Sequence, residues 1–222
     1  MILLVSTILI LVCLYFTIGV FDIRKNVFVN SINSIEKGNI CLTFDDGPDP
    51  KMTPMILDIL QKHKVKATFF LIGEAIHKNQ DIAKRIHKEG HTIGCHTFKH
   101  KSTFPMYSSS KMQTEIVQTN NLINAITSMK VVLFRPPFGI TNPNINKVLK
   151  SLKMTSIGWD VRSLDTITKD SEKLYNRVIK GIDKGGSIIL FHDRCKSTLD
   201  ILEQVILYCK NKGLKFKTIN EE

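Results

Sequence analysis

Two acidic residues and two histidines have the types and spacing needed to bind a divalent metal ion. Asp45 and Asp46 are adjacent, and three residues separate His96 from His100. The histidine spacing would place both imidazoles on one side of a helical turn. Two imidazoles and one carboxylate suit Zn²⁺ or a related divalent ion and leave coordination positions open. We therefore expect one aspartate to bind a metal and the other to face a substrate, an arrangement typical of hydrolytic chemistry.

Further polar residues follow another apolar stretch. His192 and Asp193 come directly after residues 187–191. A histidine titrates near neutral pH and is suited to donating a proton during a reaction. The remaining histidines are interpreted as having no chemical role: His91 as a structural hydrogen-bonding residue, and three others as solvent-exposed residues of outer helices, namely His63, His77 and His87.

Short apolar or β-branched runs alternate with segments of helical periodicity and would position these residues. Seven strands are predicted, at residues 40–44, 67–72, 91–95, 131–134, 154–159, 187–191 and 214–218. Six helices are predicted, at residues 54–63, 81–89, 111–129, 144–152, 171–184 and 199–210. This alternation predicts an α/β fold with a mainly parallel sheet. Seven such units favour a closed or nearly closed β/α barrel over an open sheet, although periodicity alone does not separate the two, and in a barrel the polar residues would lie at the carboxyl ends of the strands.

The amino-terminal segment is apolar and differs in composition from the rest of the chain. No charged residue occurs between Ile2 and Phe21, a length that could cross about 30 Å of hydrocarbon as a helix. We predict a transmembrane anchor at residues 1–22, a linker at 23–37 and a catalytic body at 38–222. A cleaved secretory signal is the alternative. Arg24 and Lys25 follow the apolar run, and this charge bias by itself favours a cytoplasmic body.

Composition limits the classes of partner. The chain has a net charge of +11, which attracts anionic polymers in general, yet its lysines and arginines are scattered. No arginine-rich or aromatic-interleaved stretch is present, so we predict no nucleic-acid partner. The cysteines lack CxxC spacing and are interpreted as small apolar residues. A disulfide between Cys195 and Cys209 stays open, since sequence does not give the geometry it needs.

Four segments carry a resemblance to a known family. They are TFDDGP at residues 43–48, HTFKH at 96–100, RPPFG at 135–139 and LFHD at 190–193. In this order they resemble four of the five motifs of the polysaccharide deacetylases, the NodB homology domain of carbohydrate esterase family 4, and the resemblance covers about residues 38–220. It implies a distorted (β/α) barrel of seven or eight units, similar to a TIM barrel. It also implies an exported location and hydrolysis of N-acetyl groups, or in some members O-acetyl groups, on sugars.

The resemblance also implies roles for single residues. Metal ligands would be Asp46, His96 and His100, with zinc as the first expectation and cobalt, nickel or manganese as substitutes. The general base would be Asp45, oriented by a bidentate contact from Arg135, and His192 would protonate the departing amine. The backbone N–H of Phe138 would stabilise the oxyanion. Pro136 and Trp159 are expected at the substrate, although Trp159 is equally consistent with a core residue.

The fourth motif departs from the family pattern. Members commonly carry D-x-x-D-W, whereas this chain reads RSLDT at residues 162–166. Asp165 is retained and would hold His192, with Asp160 as a second candidate for that role. Arg162 stands in place of the first aspartate and Thr166 in place of the tryptophan. These changes affect the charge and shape expected for the substrate cleft more than the reaction.

The resulting prediction is a metal-dependent hydrolase acting on linear amides, namely the N-acetyl groups of a cell-wall or extracellular polysaccharide. Peptidoglycan is favoured as the substrate and a chitin-like oligosaccharide comes next. The alternatives are a deformylase or deacetylase of a lipid-linked amino sugar and a sugar-binding pseudoenzyme. We expect a membrane-anchored monomer with an extracytoplasmic catalytic domain, or a secreted protein if the amino-terminal segment is cleaved.

Overall fold

The structure is an α/β fold built on one parallel sheet. A computed structural model describes residues 2–219, except for the side chains of residues 2–4 and 8. The strands are β1 Ser31–Ile32, β2 Asn39–Asp45, β3 Thr68–Leu71, β4 Thr92–Cys95, β5 Leu133–Phe134, β6 Thr155–Ile157, β7 Val161–Arg162, β8 Ile188–His192 and β9 Lys215–Phe216. The helices are α1 Ile2–Phe21, α2 Met52–Lys62, α3 Gly73–Lys78, α4 Gln80–Lys88, α5 Ser109–Thr127, α6 Pro143–Leu152, α7 Ser171–Asp183 and α8 Lys196–Asn211.

The predicted elements are all present. Each of the seven predicted strands and six predicted helices has a counterpart within a few residues of its expected bounds. Three elements were not predicted: strands β1 and β7 and helix α3. Strand β1 lies in the segment predicted as a linker, and β7 follows directly after the strand predicted at residues 154–159.

The sheet is curled but open, which corrects the expectation of a barrel. Its strand order is β1-β6-β5-β4-β3-β2-β8-β7, with β9 paired to β2, and every pairing is parallel. Among the described residues, the edge strands β1 and β7 do not pair with each other. The α/β class and the parallel sheet are confirmed.

Side chains alternate between the two faces of the central strands. Leu42 and Phe44 point outward into the main core beneath the helices, where Phe44 stacks on Phe69 of β3 at a centroid distance of 4.9 Å. Cys41 belongs to a separate apolar cluster on the inner, concave face. The period of two therefore places Asp45 on the inner face as well, at the carboxyl end of β2.

Several helices begin at residues whose side chains cap the first turn. The side chains of Ser108, Asn142 and Asp170 accept hydrogen bonds from backbone N–H groups in the first turns of α5, α6 and α7. Such caps satisfy N–H groups that have no partner within the helix. These sequence signals fix where three of the outer helices start.

The segment predicted as a linker at residues 23–37 is part of the folded body. Strand β1 pairs with β6 at the sheet edge, and the side chains of Ile23 and Val29 are buried. The division of the chain into residues 1–22, 23–37 and 38–222 stays a prediction, and Met1 and residues 220–222 lie outside the described residues.

The end of α1 is attached to this body. The N–H and hydroxyl of Thr141 donate hydrogen bonds to the carbonyls of Val20 and Gly19, at 3.0 and 2.8 Å, and Phe16 stacks on Phe28. Within the described residues, no helix combines the length and the apolarity that crossing a membrane requires. The predicted transmembrane helix is therefore not supported.

The cysteines are free thiols. Cys41, Cys95 and Cys209 are buried, as expected for small apolar residues, and Cys195 is partly exposed. The disulfide left open between Cys195 and Cys209 is not formed. His91 has the structural role predicted for it, since its Nδ1 accepts a hydrogen bond from the N–H of Ala67 at 3.1 Å.

Candidate active site

Strand register brings a carboxylate and an imidazole together. Asp45 and His192 are directly paired positions at the carboxyl ends of the adjacent strands β2 and β8. Both side chains lie on the inner face of the sheet, because each is an even number of residues from inward-facing neighbours. Two residues far apart in sequence thus face the same cleft.

A buried arginine holds Asp45. The side chain of Arg135 is fully buried, and its Nη1 donates to Asp45 Oδ1 at 2.8 Å and to Thr43 Oγ1 at 2.7 Å. Its remaining donors bind the carbonyls of Ile157 and Gly158, at 3.2 and 2.8 Å. The contact with Asp45 is therefore through one nitrogen, not the bidentate contact predicted. The guanidinium is shared between the carboxylate and the backbone following β6.

Three side chains converge on a point that suits a metal ion. Asp46 Oδ1 lies 3.5 Å from His96 Nε2 and 3.4 Å from His100 Nε2, and one ligand atom from each of the three residues lies within 4.8 Å of the others. Asp46 Oδ1 is buried and accepts no hydrogen bond from any described residue. A buried carboxylate oxygen without a partner costs free energy unless a cation compensates it. The residues therefore fit a divalent ion.

The histidines lie in a loop and not on a helical turn, which corrects the expectation from their spacing. Thr97 and His100 have φ values of 67° and 49°, which no right-handed helix accommodates. The carboxylate of Glu115, a buried residue of α5, accepts hydrogen bonds from the N–H groups of Phe98 and Lys99 at 3.1 and 2.9 Å. The loop folds around this carboxylate and brings the two imidazole centroids to 4.7 Å.

Hydrogen bonding and burial prepare both imidazoles to act as ligands. His96 Nδ1 donates to the carbonyl of Arg135 at 2.7 Å, which leaves Nε2 with its lone pair directed at Asp46. Burial, together with the neighbouring His96, lowers the pKa of His100 to about 4 although Asp46 acts to raise it. His100 can therefore present a neutral nitrogen, the form in which histidine binds metals, and the hydrogen bond made by His96 Nδ1 leaves its Nε2 as the ring nitrogen facing the site.

Asp46 is held through its other oxygen by a residue that the sequence did not single out. Arg194 Nε donates to Asp46 Oδ2 at 2.7 Å. Burial acts to raise the pKa of Asp46, but the surrounding histidines and Arg194 outweigh it, so that this pKa is lowered. Arg194 and Glu115 support the metal-binding side of the site, and sequence reasoning missed both. The only available signal for Arg194 was its position directly after LFHD.

The proton-donor side of the site is a closed hydrogen-bond network. His192 Nδ1 donates to Asp165 Oδ1 at 2.8 Å, and the backbone N–H of His192 donates to Asp165 Oδ2 at 2.6 Å. The hydroxyls of Ser163 and Thr198 also donate to this buried carboxylate. Burial acts to lower the pKa of His192, but the hydrogen bond and charge of Asp165 outweigh it and raise this pKa.

Asp160, the second candidate for holding His192, is engaged elsewhere. Its carboxylate accepts hydrogen bonds from the N–H groups of Ser187 and Ile188 at the start of β8, at distances of 2.7 to 2.9 Å. This role is structural because it anchors a strand end opposite the cleft. Asp165 is the residue that contacts His192.

Asp193 lies behind the site instead of in it. Its side chain is fully buried, burial raises its pKa to about 8, and its Oδ2 accepts a hydrogen bond from Thr53 Oγ1 at 2.6 Å. A Cβ added to Gly47 would lie 1.9 Å from that same oxygen. Glycine is therefore required where the turn after Asp46 passes over the Asp193 carboxyl group.

Sequence comparisons decide the family. The sequence profile of polysaccharide deacetylases matches residues 33–157. The chain is 35% identical over 187 residues to a peptidoglycan-N-acetylglucosamine deacetylase of Bacillus cereus, covering 82% of this chain and 67% of the relative. The chain belongs to the polysaccharide deacetylase family. The matched residues end before His192.

Other members of the family differ in the sugar that their names give. A peptidoglycan-N-acetylmuramic acid deacetylase of Bacillus subtilis is 32% identical over 193 residues, covering 85% of this chain and 72% of the relative. A peptidoglycan-N-acetylglucosamine deacetylase of Listeria monocytogenes is 33% identical over 182 residues, and the chain spans 38% of its length. The relatives thus include deacetylases named for either sugar of peptidoglycan.

Solved structures of the family superimpose well on this fold. A peptidoglycan N-acetylglucosamine deacetylase in complex with a benzamide ligand has a TM-score of 0.79 and 34% identity, covering 84% of this chain and 88% of that one. A family 4 carbohydrate esterase described as a pseudoenzyme, from Bacillus anthracis, has a TM-score of 0.80 and 31% identity, covering 89% and 70%. The polysaccharide deacetylase fold is therefore found both with and without activity.

The residues predicted to contact substrate have different surroundings. Phe138 has a φ of 61°, its ring is half exposed, and its centroid lies 4.9 Å from that of His100 at the cleft. Trp159 is 7% exposed and lines the cleft with one edge, packed against Gly139, so it serves both core and cleft. Pro136 is buried and does not line the cleft. In this polysaccharide deacetylase, Pro136 instead precedes the turn that presents Phe138.

Proposed function

We propose that this protein is a metal-dependent hydrolase that removes N-acetyl groups from the amino sugars of peptidoglycan. The observation that carries the proposal is the buried, unpartnered Asp46 Oδ1 between two imidazole nitrogens, beside a second carboxylate on the inner face of the sheet. The names of the relatives support peptidoglycan as the polymer.

Asp46, His96 and His100 would hold the divalent cation. A mixed nitrogen and oxygen donor set of this kind supports zinc, with cobalt, nickel or manganese as substitutes. When bound, the cation supplies Lewis-acid polarisation at the reacting carbonyl and promotes the ionisation of water. That this cation is zinc is itself proposed.

The proton transfers are proposed for this chain's own residues. Asp45, oriented by Arg135, accepts a proton from the attacking water. His192 is bonded to Asp165 through Nδ1, which leaves Nε2 to donate a proton to the amine as the carbon–nitrogen bond breaks. The backbone N–H of Phe138 stabilises the oxygen that becomes negatively charged, a contribution of about 3 kcal/mol in comparable sites.

We propose an extracytoplasmic catalytic domain, because the proposed polymer lies outside the cytoplasmic membrane. A single chain carries every residue named for the reaction, which is consistent with an active monomer. Both statements can be checked, the first by protease accessibility in intact cells and the second by the sedimentation behaviour of the active protein.

The test is metal-dependent acetate release. The full chain would be loaded with Zn²⁺ or Co²⁺ and incubated with peptidoglycan and with chitooligosaccharides, with Asp45→Asn as the control that keeps all three metal ligands. We expect release from peptidoglycan that falls by about 10²- to 10⁴-fold in Asp45→Asn. Release from chitooligosaccharides alone would replace the proposed polymer with a chitin-like one.

A pseudoenzyme is the second candidate, since one structural neighbour is described as such. Stoichiometric metal binding without acetate release from either polymer would favour it, or would redirect the search to a lipid-linked amino sugar. Deformylation or deacetylation of such a lipid-linked sugar would separate these two outcomes. The presence of both Asp45 and the complete ligand set supports an active enzyme over the pseudoenzyme.

A further inference from the structure

Arg162 is a cation at the rim of the cleft in the motif that departs from the family. It ends strand β7 and pairs with Leu190 of β8, two residues before His192. Its side chain is exposed and lines the cleft, with its guanidinium carbon 6.0 Å from the ring of Trp159. A side chain at this place would meet a sugar whose acetamido group lies between Asp45 and His192.

The charge of Arg162 is not compensated by the protein. Arg135 is paired with Asp45 and Arg194 with Asp46, at 2.8 and 2.7 Å. Among the described residues, no carboxylate forms an ion pair with Arg162. Arg162 therefore differs from Arg135 and Arg194 in having no carboxylate partner among the described residues.

A basic surface continues from Arg162 away from the cleft. A shallow depression beside β7 and α7 shares Arg162 with the cleft and is lined by further cations, namely Arg24, Lys173, Arg177, Lys180 and Lys184. Asp160 is the acidic residue in this lining, and its carboxylate is engaged by the N–H groups of Ser187 and Ile188. Arg24 and Lys173 are paired with Asp22 and Asp170, at 2.7 and 3.4 Å. Among the described residues no carboxylate forms an ion pair with the other three cations, so an acidic chain leaving the cleft at this side would meet their positive charge.

From these observations we infer that Arg162 binds an anionic substituent, a carboxylate or phosphate, on or next to the sugar being deacetylated. The inference rests on the proposed function and narrows its substrate to acidic N-acetylated glycans in preference to neutral ones. In peptidoglycan, the anion would be the carboxylate of a sugar. In other wall glycans, it would be a phosphate. An arginine is suited to both because its planar fork matches either anion.

The first experiment measures binding, so that it does not depend on turnover. Zinc-loaded Asp45→Asn protein would be titrated with a carboxylate-bearing peptidoglycan tetrasaccharide lacking stem peptides, with the same glycan after amidation, and with an N-acetylated oligosaccharide phosphate. We expect the free acid to bind about tenfold more tightly than the amide at low salt, and the preference to shrink as ionic strength rises. Tight binding of the phosphate in place of the carboxylate would identify phosphate as the source of the anion.

Variants then assign the preference to one residue. Arg162→Leu should remove it, Arg162→Lys should retain part of it, and Lys84→Ala, which deletes an exposed cation on α4, should leave it intact. Equal affinity for the acid, the amide and the phosphate, or a full preference retained in Arg162→Leu, would overturn the inference. Circular dichroism and melting temperature would verify that each variant is folded.

Acetate release by the enzyme with Asp45 intact separates this inference from the proposed function. Hydrolysis of neutral and acidic glycans with the same kcat/KM would refute the role of Arg162 and leave the deacetylase proposal standing. Absence of release from every glycan, together with a preference for the acid in the binding experiment, would refute the deacetylase proposal and retain the anion site.

Discussion

The two sides of the cleft are built differently. On the metal side, Asp46 Oδ1 has no hydrogen-bond partner among the described residues, and two imidazole nitrogens lie 3.4 and 3.5 Å from it. On the proton-donor side, the Asp165 carboxylate accepts hydrogen bonds from the ring and backbone of His192 and from two hydroxyl groups. The Asp46 oxygen would thus be compensated by a cation, whereas the Asp165 carboxylate is already compensated by groups of the chain itself.

This contrast indicates that metal binding and proton donation depend on different sets of supporting contacts. On the metal side, burying the unpaired oxygen of Asp46 costs free energy that a bound ion would offset. Ion binding should therefore stabilise the folded state. The proton-donor side is preorganised by a buried carboxylate that orients His192 and raises its pKa. Changes on the metal side should act through metal affinity, and changes on the other side through the pH dependence of turnover.

The largest effect is expected from removing a ligand. His100→Ala should lower the deacetylation rate by more than about 10³-fold, because the loss of one of three ligands removes the cation and its Lewis-acid contribution. Metal content and acetate release would be measured together, with the exposed His77→Ala as the matched histidine control. Zinc should raise the melting temperature of the wild type and of His77→Ala only. If His100→Ala protein still bound stoichiometric zinc, His100 would not be a required metal ligand, and the contrast between the two sides would be wrong.

Next in size is the loss of the carboxylate that holds the proton donor. Asp165→Asn should lower kcat by about 10²-fold while zinc binding stays unchanged. Protonated His192 is the proposed acid, so activity declines as pH rises through its pKa. Since the hydrogen bond and charge of Asp165 raise that pKa and burial lowers it, the variant should lose activity at lower pH than the wild type. An unshifted alkaline limb in the pH profile of kcat would contradict the assignment.

The same pair predicts a dependence of stability on pH. The pKa of His192 is raised in the folded state, so its contribution to the free energy of unfolding is present below pH about 6.5 and is lost as pH rises through the folded value. Asp165→Asn should flatten this part of the curve. Urea unfolding at several pH values would measure it on the zinc-free protein.

A smaller effect on the metal side is expected from the loop support. Glu115→Gln keeps the size of the side chain but weakens its hydrogen bonds to the N–H groups of Phe98 and Lys99. Zinc affinity should fall by about tenfold, since supporting residues of this kind contribute 10- to 100-fold. Competition with a chromophoric chelator would give the affinity, and kcat at saturating zinc should stay close to that of the wild type.

The smallest effect on turnover is expected at Asp160. Asp160→Ala leaves the N–H groups of Ser187 and Ile188 without their acceptor and should lower the free energy of unfolding by about 2 kcal/mol. The pH profile of kcat should match that of the wild type, unlike that of Asp165→Asn. If the pH profile of kcat were shifted in Asp160→Ala as well, Asp160 would also influence the pKa of His192, together with Asp165.

Much of this arrangement is readable from sequence. The strands are recognised by buried apolar runs, and the polar residues that follow β2, β4 and β8 meet because the carboxyl ends of parallel strands share one edge of a sheet. The residue types of Asp46, His96 and His100 then indicate a metal site before any coordinates are considered. The spacing of the two histidines misleads, because the intervening loop contains left-handed residues that no period describes.

The supporting contacts required the tertiary structure. Glu115 reaches the histidine loop from α5, Arg194 reaches Asp46 from the far end of the chain, and Arg135 uses one nitrogen for Asp45 and the others for carbonyls after β6. Whether the sheet closes was likewise not predictable from sequence, since closure depends on whether β1 and β7 pair with each other. Local patterns identify residues by type and position along the chain, whereas these contacts depend on packing between segments that are distant in sequence and leave no periodic signal.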